Sequence, residues 1–241
     1  MKQAFAWLLS LSLLLTALPA RAVDDEESDL DELRTPLSNE WRMVRHDRKR
    51  NIKTWMRQED GKQFRSFKVE AELTASVEAI VRLMLDFATY DKWYWQVKES
   101  KLLKQVSATE YYIYLVHRAP GNLPDRDTVL RGIVYPQTKT QRYAMLKVSA
   151  VPDYIAEKPP LVRMPAQEMF LKYTPLGGGK VLLETEGYIE PGGRVPAWAS
   201  NFIQRSAPYT IVLAMQRQLS SGEYDKGKKL PFPVYDLSDY Q

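Results

Sequence analysis

Apolar positions change their period along this chain, and the changes mark out its elements. From Trp41 to Asp47 and from Ile52 to Gln58 apolar and polar residues alternate, which predicts a β-hairpin. Phe64 to Leu73 alternates in the same way and predicts a third strand. The period then shifts. Val77, Ile80, Val81, Met84 and Leu85 recur at helical spacing behind Ser76, a residue type that caps helices. Alternation resumes at Val97–Val106, Thr109–Arg118, Asp127–Tyr135, Gln141–Val151, Leu161–Met164, Gln167–Thr174 and Lys180–Ile189. Short turns at Ser107-Ala108 and at Pro175 to Gly179 join neighbouring runs. These connections are too short for parallel crossovers, so the sheet is expected to be antiparallel throughout.

The stretch from Glu190 to Leu219 ends the pattern. A strand breaks at Pro191-Gly192-Gly193-Arg194-Val195-Pro196. Trp198, Phe202, Ile203, Ile211, Val212, Met215 and Leu219 then follow at helical spacing. Pro208 lies inside this run and predicts a kink or split near Ser206. A closing helix over a curved sheet covers a cavity, and a covered cavity in a small α+β protein suits an apolar ligand. Beyond Gly222 the chain is charged and then proline-rich at Leu230 to Pro233, which predicts a tail on the surface or disordered.

The N-terminus has a different pattern. Lys2 precedes an apolar run from Ala4 to Leu18, and Ala20-Arg21-Ala22 has the spacing of a cleavage site. Residues 1–22 therefore read as a signal peptide, 23–38 as an acidic linker, 39–222 as one domain and 223–241 as the tail. Export to the periplasm or outside the cell is the expected localisation. Cleavage would leave 219 of 241 residues, enough to bury one sizeable core. The chain has no cysteine, so thiolate chemistry, disulfides and cysteine zinc sites are excluded.

The formal net charge is +4, from 34 basic and 30 acidic residues. Removing Lys2 and Arg21 lowers it to +2, which argues against a nucleic-acid partner. The one basic run, Arg45 to Arg50, lies between two alternating stretches and reads as a solvated hairpin turn.

Catalytic patterns are scarce. The histidines are His46 and His117, and neither sits in a nucleophile elbow, a zinc helix or a calcium loop. Gly177-Gly178-Gly179-Lys180 lacks the spacing and the following helix of a phosphate loop, so it reads as a turn. His117, at a strand end, reads as structural. An enzyme acting on a hydrophobic substrate is the alternative function, and it would need His117 paired with Asp125 or Glu110. Asp125-Arg126-Asp127 is either a surface knot of charges or a place where Arg126 turns inward toward an anionic head group. Arg163, between apolar neighbours, either pairs with a buried acid (Glu168, Glu184 or Glu186) or faces such a head group. Tyr111, Tyr112, Tyr114, Tyr143 and Tyr173, with Trp93 and Trp198, supply amphipathic rings for a cavity wall or for ordinary core packing.

Four segments, in order, resemble the START family, the steroidogenic-acute-regulatory-related lipid transfer domains. They are Phe67–Ala71 leading to Ala75–Ile80, Leu85–Trp93, Pro124–Val129 and Glu190–Trp198. The resemblance implies a helix-grip fold, a curved antiparallel sheet wrapped around a long C-terminal helix. It also implies a single lipid in the tunnel between them, transient membrane contact, a monomer, and no cofactor or metal. The implied lipid-binding residues are Arg126, Asp127, Arg163, Tyr112, Tyr114, Trp93, Tyr173, Trp198 and Phe202. Sterol-binding members bury an acid and an arginine on neighbouring strands. Tyr114 and Gly132 stand at those places here, and Arg131 faces the other way, which argues against a sterol.

Overall fold

The computed structural model describes residues 39–240. The signal peptide and the acidic linker expected from the sequence lie outside the described residues. The strands are β1 (Arg42–Asp47), β2 (Ile52–Arg57), β3 (Ser66–Thr74), β4 (Val97–Gln105), β5 (Glu110–His117) and β6 (Arg126–Tyr135). They continue as β7 (Ala144–Ala150), β8 (Val162–Arg163), β9 (Ala166–Gly177) and β10 (Lys180–Glu190). Among the described residues two α-helices accompany them, α1 (Val77–Leu85) and α2 (Ala197–Ser220).

The sheet runs β1-β2-β3-β10-β9-β7-β6-β5-β4, and every neighbouring pair on this path is antiparallel. The expectation of an antiparallel sheet throughout needs one correction. The two-residue β8 pairs with β6 in parallel, Arg126 opposite Val162 and Asp127 opposite Arg163. It reaches that edge over the connection from Ala150, which carries a short turn at Pro152–Tyr154 rather than a crossover helix. With α2 against β2 and β3, this is the α+β helix-grip architecture that the resemblance implied.

Local chemistry explains the elements. Ser76 accepts a hydrogen bond from the amide of Ala79 (3.1 Å) and caps α1. Val77, Ala79, Ile80 and Leu83 of α1 are buried. In β2, Ile52, Thr54 and Met56 are buried while their neighbours are half-buried, the signature of a strand covered on one face. The glycines at 177–179 all have positive φ, so they close the β9–β10 hairpin as the sequence predicts.

Helix α2 is held at its C-terminal half. Tyr209, Val212, Met215 and Leu219 are buried in one core with Ile52, Val69, Ala71 and Leu73. Gln216 donates to the carbonyls of Arg50 (3.0 Å) and Glu72 (2.9 Å). The helix does not split at Pro208 but continues from Ala197 to Ser220. Proline has no amide proton, so the carbonyl one turn earlier, at Gln204, loses its helical donor there. The segment before Pro208 is therefore the less strongly bonded half.

The tail is docked rather than loose. Tyr224 and Phe232 are buried. Gln137 clasps Tyr235 through both main-chain groups (2.8 and 2.9 Å), and Asp236 accepts from the first amide of α1. Aromatic and proline residues give this polar segment enough apolar surface to pack.

The Tyr209 hydroxyl donates to Asp47 on β1 (2.7 Å), and Arg50 donates to the same carboxylate. The Tyr209 bond first, then the Arg50 contacts, hold the Asp47 pKa at about 2, below its ordinary 3.8. The folded state thus binds this proton more weakly than the unfolded chain does. The contribution is complete above about pH 4 and is lost as pH falls toward about 2. In acid titrations of the unfolding midpoint, Tyr209→Phe is expected to flatten the decline in that window. An unchanged slope would remove this bond as its cause.

Candidate functional site

Strand alternation decides which side chains face the interior. On β5, Tyr111, Ile113, Leu115 and His117 point inward, and their partners on β6 are Gly132, Leu130, Thr128 and Arg126. Two apolar cavities lie along this face. The inner one, about 90 Å³, is enclosed by Ile80 and Met84 of α1, Leu130, Gly132, Tyr173 and the tail residue Phe232. The outer one, about 100 Å³, lies beneath the first and middle turns of α2, where Ile203 and Ala207 before Pro208 and Ile211 after it form the roof. Tyr94 lines both cavities and is the wall between them.

The inner cavity is almost purely hydrocarbon. Among the described residues the buried Tyr173 hydroxyl has no hydrogen-bond partner, and burial raises its pKa further. Trp93 does not line a cavity. It packs edge-on against Tyr90 (4.8 Å) and Tyr94 (5.5 Å) and so holds the dividing wall.

The outer cavity carries the polar groups. The Arg126 guanidinium is buried and donates to the carbonyls of Pro124, Pro191 (3.4 Å) and Gly192 (3.4 Å). It thereby ties the connection preceding α2 to the sheet. His117 lies directly across from it on β5. The His117 Nδ1 bonds the Trp95 carbonyl (2.8 Å), and burial lowers the imidazole pKa. A carbonyl only accepts, so Nδ1 carries the proton and Nε2 presents its lone pair. Nε2 is buried without a partner among the described residues.

The histidine has no carboxylate partner of the kind an acid–base pair needs. Asp125 instead bonds Lys98 and the Ala119 amide, and Glu110, at the far end of β5, bonds Arg131 (2.8 Å).

Four expected lipid-binding residues face the other way. Asp127, Arg163, Tyr112 and Tyr114 lie on the back of the sheet. Arg163 binds Asp127 through two bonds, Nε to Oδ1 (3.0 Å) and Nη2 to Oδ2 (2.9 Å). The Tyr114 hydroxyl donates to the same carboxylate (3.0 Å). The remaining Arg163 donors go to the carbonyls of Pro152, Ile155 and Ala156. All five N–H groups of Arg163 are therefore engaged, and none is left for a head group. Its partner is Asp127 rather than Glu168, Glu184 or Glu186. Tyr112 stacks on Tyr154 (4.4 Å). Segment 151–161 covers this face, so β5 is apolar on both sides and its inward parity is hidden in the sequence. Arg131 does point away from the cavities, as expected. No acid occupies an inward position on β5, so the sterol-type pair is absent in either register.

Trp198 and Phe202 lie one turn apart at the start of α2 and are 57% and 50% exposed. Phe202 packs on Trp95 (ring centres 5.9 Å apart), and the indole of Trp198 lies over Gly121. They form an aromatic rim at the outer cavity rather than its lining. Tyr94 and Phe232 are not among the site residues expected from the sequence, and His117 is expected there only as half of an acid–base pair. For His117 the signal was its shared parity with Tyr111.

No protein-family model matches the chain. An uncharacterised protein of Pseudomonas aeruginosa is 26% identical over 180 residues, 75% of this chain and 87% of its own length. Among solved structures, a STAR-related lipid transfer protein from Xanthomonas axonopodis is 27% identical, with a TM-score of 0.67. That match covers 75% of this chain and 98% of the other. Human STARD10 shares the fold at 17% identity and TM-score 0.64, covering 91% of this chain and 94% of its own. Human StAR-related lipid transfer protein 5 shares it at 14% identity and TM-score 0.62, covering 82% and 96%.

Proposed function

Taking the chain as a START-fold relative of the STAR-related lipid transfer proteins, we propose that it binds, and passes between membranes, one lipid at a time in the space now divided by Tyr94. The observation that carries this reading is the pair of apolar cavities that meet at Tyr94, one under α1 and the tail and the other under α2, with no acid–base pair facing them. Each is smaller than the roughly 150 Å³ hole that accommodates benzene. The described state is therefore closed, and a lipid enters only when the roof moves. The half of α2 before Pro208, with the loop at Ala119–Leu123, is the part built to move. Burying each methylene contributes roughly 0.8 kcal/mol, so one acyl chain supplies useful affinity.

The aromatic rim gives the gate a membrane contact. Tryptophan and phenylalanine at an exposed helix end suit the boundary between head groups and tails. The N-terminal pattern of Lys2 and Ala4–Leu18 supports a site of action outside the cytoplasm.

Native mass spectrometry of freshly purified protein tests the reading. A co-purifying lipid, or uptake from mixed vesicles, is expected. Protein that carries none and takes up none sinks it. The double variant Trp198→Ala/Phe202→Ala is expected to slow vesicle-to-vesicle transfer several-fold while leaving the unfolding midpoint unchanged, because both side chains are exposed. An unchanged transfer rate would place the membrane contact elsewhere.

A further inference from the structure

We propose that the outer cavity holds the acid end of a single-chain amphiphile, a long-chain carboxylic acid, gripped between Arg126 and His117, with its chain passing Tyr94 into the inner cavity. This rests on the lipid-binding reading above and names the ligand class.

The first observation is a buried charge without an ion pair, its neighbouring carboxylate Asp125 being bonded to Lys98 and the Ala119 amide instead. Arg126 is 6% exposed and permanently cationic, yet among the described residues it forms no ion pair. Its three hydrogen bonds go to carbonyls, which leaves one N–H on each terminal nitrogen. The other buried arginine, Arg163, shows what this fold does with such a group when the charge is structural: it supplies a carboxylate. A buried charge without a counter-ion is unfavourable unless something neutralises it. At Arg126 the open side is the cavity itself.

The second observation is the unpartnered Nε2 of His117, on the strand position directly opposite. Cross-strand partners hold their Cβ atoms about 5 Å apart, so one small head group reaches both. With Nδ1–H committed to Trp95, Nε2 needs a donor, while Arg126 needs an acceptor. A carboxylic acid supplies both. One oxygen accepts from the guanidinium, and the other shares one proton with Nε2; the neutral acid brings that proton with it, and the carboxylate takes it up from solvent on binding. An ester lacks the donor, an alcohol lacks the charge, and a quaternary ammonium head is repelled by Arg126.

The third observation is shape. The apolar space is two small chambers meeting at one tyrosine ring. One flexible chain can thread such a path, whereas a rigid ring system or two parallel chains would need it wide. Among the described residues the Tyr94 hydroxyl has only long contacts, with Gln167 (3.4 Å) and the Met169 sulfur (3.8 Å), so the passage of the chain has to displace ring packing rather than a strong hydrogen bond.

The test compares ligands of equal chain length on the delipidated full chain: palmitate, methyl palmitate and hexadecanol, titrated by calorimetry. Palmitate is expected to bind at least about tenfold more tightly than either, the worth of one charge-assisted hydrogen bond. Arg126→Gln and, separately, His117→Gln are expected to erase that preference while methyl palmitate still binds. Arg126 also anchors the connection to α2, so if Arg126→Gln fails to fold, the wild-type comparison and His117→Gln decide. Equal affinity for acid, ester and alcohol overturns the acid site and leaves lipid binding intact. Binding of none of the three overturns the lipid-binding reading, and the acid site with it.

Discussion

Replacing Arg163 with methionine is expected to destabilise the domain by about 3–5 kcal/mol, the effect of stranding one member of a buried ion pair. Asp127 has a fully buried side chain, and Arg163 a nearly buried one. Removing the guanidinium leaves the Asp127 carboxylate with only the Tyr114 hydroxyl. It also releases the carbonyls of Pro152, Ile155 and Ala156, which anchor the segment covering the back of β5 and β6. The double variant Asp127→Leu/Arg163→Met is expected to recover much of the loss, because no charge is then left buried. Urea unfolding of the three proteins measures this. If Arg163→Met unfolds at the wild-type midpoint, the pair is not buried in solution. Folded Arg163→Met protein should still take up lipid, since the network lies on the opposite face from both cavities. A selective loss of uptake at unchanged stability would return Arg163 to the ligand site.

That contrast shows where the sequence was legible. Period-2 runs gave the strands because each has a face against the core, as in β2. Ser76 announced α1 because its oxygen bonds the Ala79 amide. The closing helix was legible because Tyr209, Val212, Met215 and Leu219 repeat at helical spacing. The face of β5 was not legible. Tyr111 through His117 are apolar or aromatic at every step, since segment 151–161 covers the side the cavities do not use. The partner of Arg163 was hidden too. Asp127 is 36 residues away and meets it only because β8 adds to β6 in parallel. Alternation cannot foresee a two-residue strand. The docked tail was equally opaque, because Phe232 buries itself from a segment of otherwise polar composition.

Two glycines in one sheet should respond oppositely to a side chain, and one of them reports on the ligand. At Gly187 an added Cβ would lie 2.7 Å from the Phe67 ring, 2.8 Å from Met169 and 3.0 Å from the Glu168 carbonyl. Gly187→Ala is therefore expected to lose about 1–3 kcal/mol through overpacking. At Gly132 the nearest atoms are Leu146 at 3.6 Å and the Tyr111 carbonyl at 4.0 Å, ordinary contacts. A glycine inside a strand weakens it, so Gly132→Leu should leave stability equal or higher. Its side chain grows into the inner cavity, whose roughly 90 Å³ is the space a lipid chain would enter. Excluding two methylenes removes about 1.6 kcal/mol of binding, and a longer exclusion removes more. Lipid uptake by Gly132→Leu is thus expected to fall at least about tenfold while the melting temperature holds. Native mass spectrometry and thermal unfolding on the same preparation measure both. Full uptake by a stable Gly132→Leu protein would mean that the chain never enters the inner cavity. The lipid would then lie wholly in the outer cavity beneath α2, with Tyr94 a fixed wall.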